Sequence, residues 1–449
     1  MADDAKPTRS GSGDILALAF GTTVATWAVG YVCRLPPPVV PSWVLLVLML
    51  IALLAGGFAA GRYTNRGANG GVRVCMLASL LNLMILGSLL TGDRPNQFVP
   101  PALWWVPGSI VVAAVLGAIG GALGKKHPHH GSGEINWHVR FAGVLAVATL
   151  LLLIIGGLVT GAEAGLAVAD WPNSFGYNMF LYPFSRMTGG VYYEHAHRLF
   201  GSLVGLTTLV LTVFLQRTEE RRWLRRFAWV ALLVVIVQGV LGGLRVTGRF
   251  TLSTSAQDTA PNIVLAMVHG TLGQVFFGMV VALAVFSSTS WRAPRTPTHR
   301  PSAGTDRTLN TVLVFLLIVQ LVFGTVLRHV TGGLHLHISM AVLVILVAVN
   351  SGVRAWGLYT SQPLLQRLGR TLMLLVGVQV ALGIAAYIAA ETTADVQPRP
   401  RIDVLVTTVH QATGAIVLAC AVMLMLWSYR LLTSQPAQGL TAPAAAEQA

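Results

Sequence analysis

The stretch "YYEHAHRLFGSLVG", Tyr192 to Gly205, sets Glu194, His195, His197 and Arg198 at the mouth of an apolar run that continues to about residue 215. A carboxylate can hold or pass a proton, and a neutral imidazole is a metal ligand. Three more histidines stand in comparable settings: His269 in "VHGTLGQVFFG", His337 in "LHLHISMA" and His410 in "VHQATGAIVLA". Ionisable or polar groups inside such runs are costly and call for a partner or a job.

The elements that carry these groups are membrane helices. Of 449 residues, 54% are hydrophobic and only 10% charged, and the mean hydropathy is +0.68, more apolar surface than one soluble core hides. Runs of roughly 20 residues, enough to cross a bilayer as a helix, occur about twelve times. They lie near 14–34, 43–62, 72–91, 102–124, 141–161, 193–215, 226–245, 262–286, 309–328, 333–351, 371–390 and 403–427. The first run follows the partly acidic "MADDAKPTRSGSGD" and lacks an obvious small-residue cleavage site, so it reads as a span rather than a signal peptide.

The net charge of +14 is distributed over alternate loops: Arg62, Arg66 and Arg73; Lys125, Lys126 and Arg140; "QRTEERRWLRR"; Arg292, Arg295, Arg300 and Arg307; Arg354, Arg367 and Arg370. This positive-inside pattern puts both termini in the cytoplasm and the chain in a lipid bilayer, in a prokaryotic cytoplasmic membrane, and requires no nucleic acid. Cys33, Cys75 and Cys420 lie in or near separate apolar runs without metal-ligand spacing and read as packing residues.

Residues 125–138, "KKHPHHGSGEINWH", form a polar cytoplasmic linker after a four-span region, 1–124, whose role the sequence does not assign. The following eight spans repeat. "VHGTLGQVFFG" at 268–278 matches "VHQATGAIVLA" at 409–419, the His-x-His of "EHAHRLFG" recurs in "LHLHISMA", and V-Q-x-x-x-G occurs at 237, 319 and 378. The expected fold is an all-α integral membrane protein of about twelve transmembrane helices. Two tandem-repeat four-helix bundles, 139–290 and 309–430, are joined by a cytoplasmic linker, 291–308, and followed by a disordered cytoplasmic tail, 431–449.

In that orientation His197, His269, His337 and His410 all fall in the outer half of the bilayer, one pair per bundle. Each has a small residue four positions on, one turn along the same face: Gly201, Gly273, Ala341 and Gly414. The expectation is that these leave room for a flat, wide group, as a haem ligated by one histidine from each of two helices requires. A tetrahedral zinc site would want further Cys, Asp or Glu ligands. The plainer alternative is hydrogen-bonded packing histidines with glycines that allow close helix contact. His195 and His197 differ by about 200° of helical rotation, so only one faces a bundle axis; we choose His197, and by analogy His337 over His335. His195 and His335 are then edge groups, and His329 is either solvated or a supporting group.

"LVTGAEAGLAVADWPNSFGYNMF", "YEHAHRLFGSLVG", "VQGVLGGLRVTG" and "VHQATGA" resemble the haem A synthase family, membrane monooxygenases that convert haem O to haem A for cytochrome oxidase. The likeness covers roughly 139–430 and joins a long outer loop, a Glu-x-x-His-Arg motif and four helix histidines in order. It implies a bis-histidine haem b held by His337 and His410, and a substrate haem O flanked by His197 and His269. It also implies a part for Glu194 in the reaction, oxygen as co-substrate and an electron donor that the sequence does not identify. Haem O synthase and cytochrome oxidase assembly proteins are the implied partners. Some members carry a cysteine pair in an outer loop; 162–192 has none here. The four leading spans lie outside the basic family pattern.

The halves differ where Glu194 and Arg198 align with Leu334 and Ile338, which suggests that one site reacts while the other relays electrons. Glu194 either handles a proton during oxidation of the haem methyl group or forms a salt bridge with Arg198. The loop 162–192, with Trp171, Phe175, Tyr177, Phe180, Tyr182, Phe184, Tyr192 and Tyr193, either caps the first bundle or forms an interfacial aromatic belt. Arg198, Arg245 and Arg328 are candidate partners of haem propionates; Arg245 and Arg328 could equally snorkel to lipid phosphates. Two other functions stay open: a non-catalytic di-haem electron carrier and a haem-delivery assembly factor.

Overall fold

The computed structural model describes residues 12–36, 40–87, 90, 97–129, 134–247, 262–330, 332–393, 395–396 and 398–434. The expected tail therefore lies outside the described residues from 435 onward. The chain is all-α, as hydrocarbon demands of a backbone that must bond to itself. Its helices are α1 (Gly13–Cys33), α2 (Ser42–Tyr63), α3 (Gly67–Leu86), α4 (Ala102–Lys125), α5 (Trp137–Gly161), α6 (Gly189–Thr218), α7 (Arg222–Val246), α8 (Ile263–Ser287), the short α9 (Thr289–Arg292), α10 (Ala303–His329), α11 (Leu334–Leu358), α12 (Pro363–Thr392) and α13 (Arg401–Leu431). Among the described residues, eleven are long and apolar enough to cross a membrane. The expected third span is present as α3 but stands outside those eleven, with Asn69, Arg73 and Asn82 in its sequence.

Local signals set several helix starts. The Asn136 side chain accepts hydrogen bonds from the His138 and Val139 amides at the start of α5, and Asn262 accepts from Leu265 at the start of α8, as N-capping requires. Apolar faces turned outward, with Leu46, Trp104 and Val115 exposed, are the surfaces that lipid covers.

The chain forms two compact units, one of residues 1–289 and 382–412, the other of 290–381 and 413–449. In the first, α5 to α8 share a core that includes Phe141, Leu145, Leu203, Leu211, Phe276 and Leu283. Helix α1 enters the same core through Phe20, Val24, Trp27 and Tyr31. Tyr31 stacks on Tyr192 with ring centroids 5.4 Å apart, and the Tyr192 hydroxyl donates to the Tyr31 carbonyl at 2.7 Å. Helices α2 and α4 touch backbone to backbone: a Cβ on Gly57 would lie 2.9 Å from the Gly117 carbonyl.

In the second unit α10 packs on α11, and buried Asp306 gathers Arg354, at 2.6 Å, and the Tyr359 hydroxyl. Burial and that hydrogen bond push the Tyr359 phenol up to about 12. The short strands Thr298–His299 and Leu432–Thr433 pair in parallel. The cysteines are free thiols: Cys75 is buried, with Sγ 3.1 Å from the Leu53 carbonyl, Cys420 is buried, and Cys33 is half-buried.

Candidate functional site

The second and third turns of α6 lie beneath the 162–188 loop, and one side chain joins them. Arg198 Nε meets Glu194 Oε1 at 3.1 Å, with both side chains only 7% exposed. Its Nη1 donates to the carbonyls of Asp170 at 2.7 Å and Asn173 at 3.2 Å, and its Nη2 to that of Val168 at 2.7 Å. Asp170 in turn accepts from the amides of Phe175 (2.7 Å) and Gly176 (2.9 Å). These bonds close the turn between strands Asn173–Ser174 and Tyr177–Asn178, where Phe175 and Gly176 take φ of 52° and 77°.

His195 faces this loop. Its Nδ1 lies 3.1 Å from Ser174 Oγ and its ring 5.1 Å from that of Tyr182, whose phenol burial pushes up. Trp171 packs on Gly243, and Gly165 lies against the Arg245 guanidinium. The loop is thus tied down over the ends of α6 and α7 by polar bonds as well as by aromatic burial.

His197 of α6 and His269 of α8 meet inside the bundle. Their ring centroids are 6.2 Å apart and their planes 79° from parallel. A metal between two imidazole nitrogens at about 2.0–2.1 Å each puts ring centres roughly 6 Å apart. His269 Nδ1 donates to the Gln238 carbonyl at 3.1 Å, leaving Nε2 with its lone pair outward. His197 Nδ1 is buried without a hydrogen-bond partner. The spacing and the tautomer of His269 fit a pair of haem ligands, while His197 lacks the supporting bond that His269 has.

Room for each ring comes from a glycine on the preceding helix. A Cβ added to Gly156 of α5 would lie 3.0 Å from His197 Cε1, and one on Gly242 of α7 would lie 3.1 Å from His269 Cε1. The same holds for Gly324 of α10 against His337, at 3.3 Å, and Gly383 of α12 against His410, at 3.0 Å. The small residues four positions on, expected to leave room for a flat group, differ in their surroundings. A Cβ on Gly273 would come within 2.9 Å of Gln238 Nε2, and one on Gly414 within 3.2 Å of Gln379 Nε2. Those two glycines admit a glutamine, whereas a Cβ on Gly201 would meet nothing within 4 Å.

The V-Q-x-x-x-G repeat thereby acquires a physical meaning that the sequence reading missed. Gln238 Nε2 donates to the His269 carbonyl at 2.7 Å, and Gln320 Nε2 to the His337 carbonyl at 3.1 Å. The glycine one turn later receives the imidazole. The Gln-to-Gly spacing of four residues was the available signal.

The remaining residues sort by surroundings. Arg198, expected beside a haem propionate, bonds Glu194 and three carbonyls. Arg245 is within electrostatic reach of Glu194, His197 and His269, and its Nε is buried without a partner. Arg328 and His329 end α10 half-buried, and His335 is exposed where His337 is half-buried. His410 is half-buried. Beside it, Thr408 and Gln411 approach the back of α5, each 3.0 Å from a Cβ added to Gly157. Arg399 links the two helix ends, bonding Glu163 at 2.7 Å and Asp403 at 3.2 Å.

Residues 177–337 match the model of the COX15-CtaA family, described as cytochrome oxidase assembly protein. The chain is similar to the heme A synthase of Lysinibacillus sphaericus, 32% identical over 114 residues, which are 25% of this chain and 36% of that protein. It thus spans about a third of that relative's length. No solved structure matches the chain. The region matched by the family model carries Glu194, His197, Arg198, Arg245, His269 and His337.

Proposed function

We propose that this protein is a haem A synthase, an oxidoreductase that converts the methyl group of haem O to the formyl group of haem A for cytochrome oxidase. The observation that carries the reading is the His197–His269 pair, 6.2 Å between ring centres, next to a buried carboxylate–guanidinium pair under a fastened loop. His197 and His269 hold the substrate haem. Glu194 holds or moves a proton at its carboxylate, and Arg198 orients it. The loop over α6 and α7 excludes water, and Arg245, whose Nε is buried without a hydrogen-bond partner, would be the residue to hold a propionate. His337 and His410 hold haem b, which supplies single-electron transfer when bound. Helix α5 carries Gly156 against His197 and Gly157 against Thr408 and Gln411. The positive-inside charge supports an orientation with both termini in the cytoplasm and both haem sites in the outer half of the membrane.

The likeness of the four histidine slots favours one other reading, a non-catalytic di-haem carrier; a haem-delivery factor is the third. Incubation of the purified chain with haem O, oxygen and a reductant, followed by pigment extraction, separates them. A formyl-bearing haem is expected, and unchanged haem O would leave only the carrier and the delivery factor.

A further inference from the structure

The two imidazoles of the first bundle are held unequally, a difference that rests on the haem-site reading above and deepens it. His269 donates from Nδ1 to the Gln238 carbonyl at 3.1 Å, and Gln238 Nε2 donates back to the His269 carbonyl at 2.7 Å. That reciprocal pair fixes the tautomer and the ring orientation, and an imidazole so bonded is the more basic ligand. His197 has neither bond. Its Nδ1 is buried and unpartnered. Leu152 stands four residues before Gly156, where Gln238, Gln320 and Gln379 stand before Gly242, Gly324 and Gly383.

Three of the four histidines therefore face a helix with Gln-x-x-x-Gly, and His197 faces Leu-x-x-x-Gly. The α6 surface also has room to give: a Cβ on Gly201 or Gly205 would meet nothing within 4 Å, whereas the matching Gly273 of α8 is closed by Gln238. A ligating His197 leaves its Nδ1–H unsatisfied in the interior, which weakens the bond it makes.

We infer that His269 is the anchoring ligand of the haem in the first bundle and His197 the exchangeable one, the side that opens for loading and release. The test loads the full chain anaerobically with haem O and measures haem O per chain by extraction, with spin state by electron paramagnetic resonance. His197→Ala keeps haem O at the unaltered ratio in a high-spin form that added imidazole returns to low spin. His269→Ala loses haem O, with retention after washing lowered by about 10- to 100-fold. Equal loss in both variants, or a greater loss in His197→Ala, overturns the inference while leaving the site in place. No haem O bound by the unaltered chain, or no change in either variant, overturns the underlying reading. Haem b content reports folding in each case. If His269→Ala fails to insert, Gln238→Leu replaces it: faster haem O dissociation than in Leu152→Ala is expected, and the reverse order contradicts the proposal.

Discussion

The two sequence repeats, the one from α5 to α8 and the one from α10 to α13, carry the same histidine slots but different surroundings. In both, an imidazole lies over a glycine of the preceding helix, at 3.0 Å for Gly156 and 3.3 Å for Gly324. Before α6 the chain spends the 162–188 loop, gripped by Arg198 through three carbonyls. Between α10 and α11 it spends residues 330–333, ending on Gly333 with φ of 87°, a left-handed position that favours glycine. Where the first bundle has Glu194 and Arg198, the second has Leu334 and Ile338, the latter 49% exposed. Duplication accounts for the slots; the loop and its ion pair set the first half apart.

The strongest way to break this comparison is to remove the slot ligands assigned to the relay. His337→Ala or His410→Ala is expected to abolish the low-spin bis-histidine haem b spectrum completely, while His195→Ala, a loop-facing group, keeps it. Spectra that survive both ligand changes would end the assignment.

A smaller effect sharpens the role of the loop. Arg198→Gln removes one partner of a buried pair, a change that costs about 3–5 kcal/mol, and it also releases three carbonyls. Thermal unfolding in detergent should show a clear drop in midpoint, and limited proteolysis should cut within 162–188. The counterpart Ile338→Ala should leave the midpoint close to that of the unaltered chain.

The smallest expected effect tests the glycine slots themselves. Gly156→Ala presses a methyl group on the His197 ring, and overpacking of this kind costs about 1–3 kcal/mol. A shifted paramagnetic resonance signal from the first-bundle haem is expected. Gly205→Ala, in open space, should leave that signal unchanged, and identical spectra for the two variants would remove the slot from the account.

Much of the architecture was readable because hydrocarbon imposes period and length: helices α5 to α8 and α10 to α13 follow the apolar runs, and the internal repeat stands in the spacing of His and Gln. The loop could be seen as a cap or a belt, but not how Arg198 holds it, because a guanidinium bonding to Val168, Asp170 and Asn173 leaves no mark in residue type. The neighbours of the small residues were hidden for a related reason. Gly273 answers to Gln238, 35 positions away in sequence, and the glycine that answers to His197 is Gly156 on another helix. Nor did hydropathy reveal that α1 shares the core of the first bundle through Tyr31 and Trp27, since lipid-facing and helix-facing residues in α1 are equally apolar.

The claim that the first half does the chemistry is tested most directly at Glu194. Haem A formation by Glu194→Gln and by the unaltered chain should be compared per bound haem b, with saturating haem O. Proton transfer by a positioned side chain contributes about 10²- to 10⁴-fold, so a loss of that size with haem b retained is the predicted result. Equal turnover in the two proteins would contradict the account and leave Glu194 as the partner that holds Arg198 to the loop.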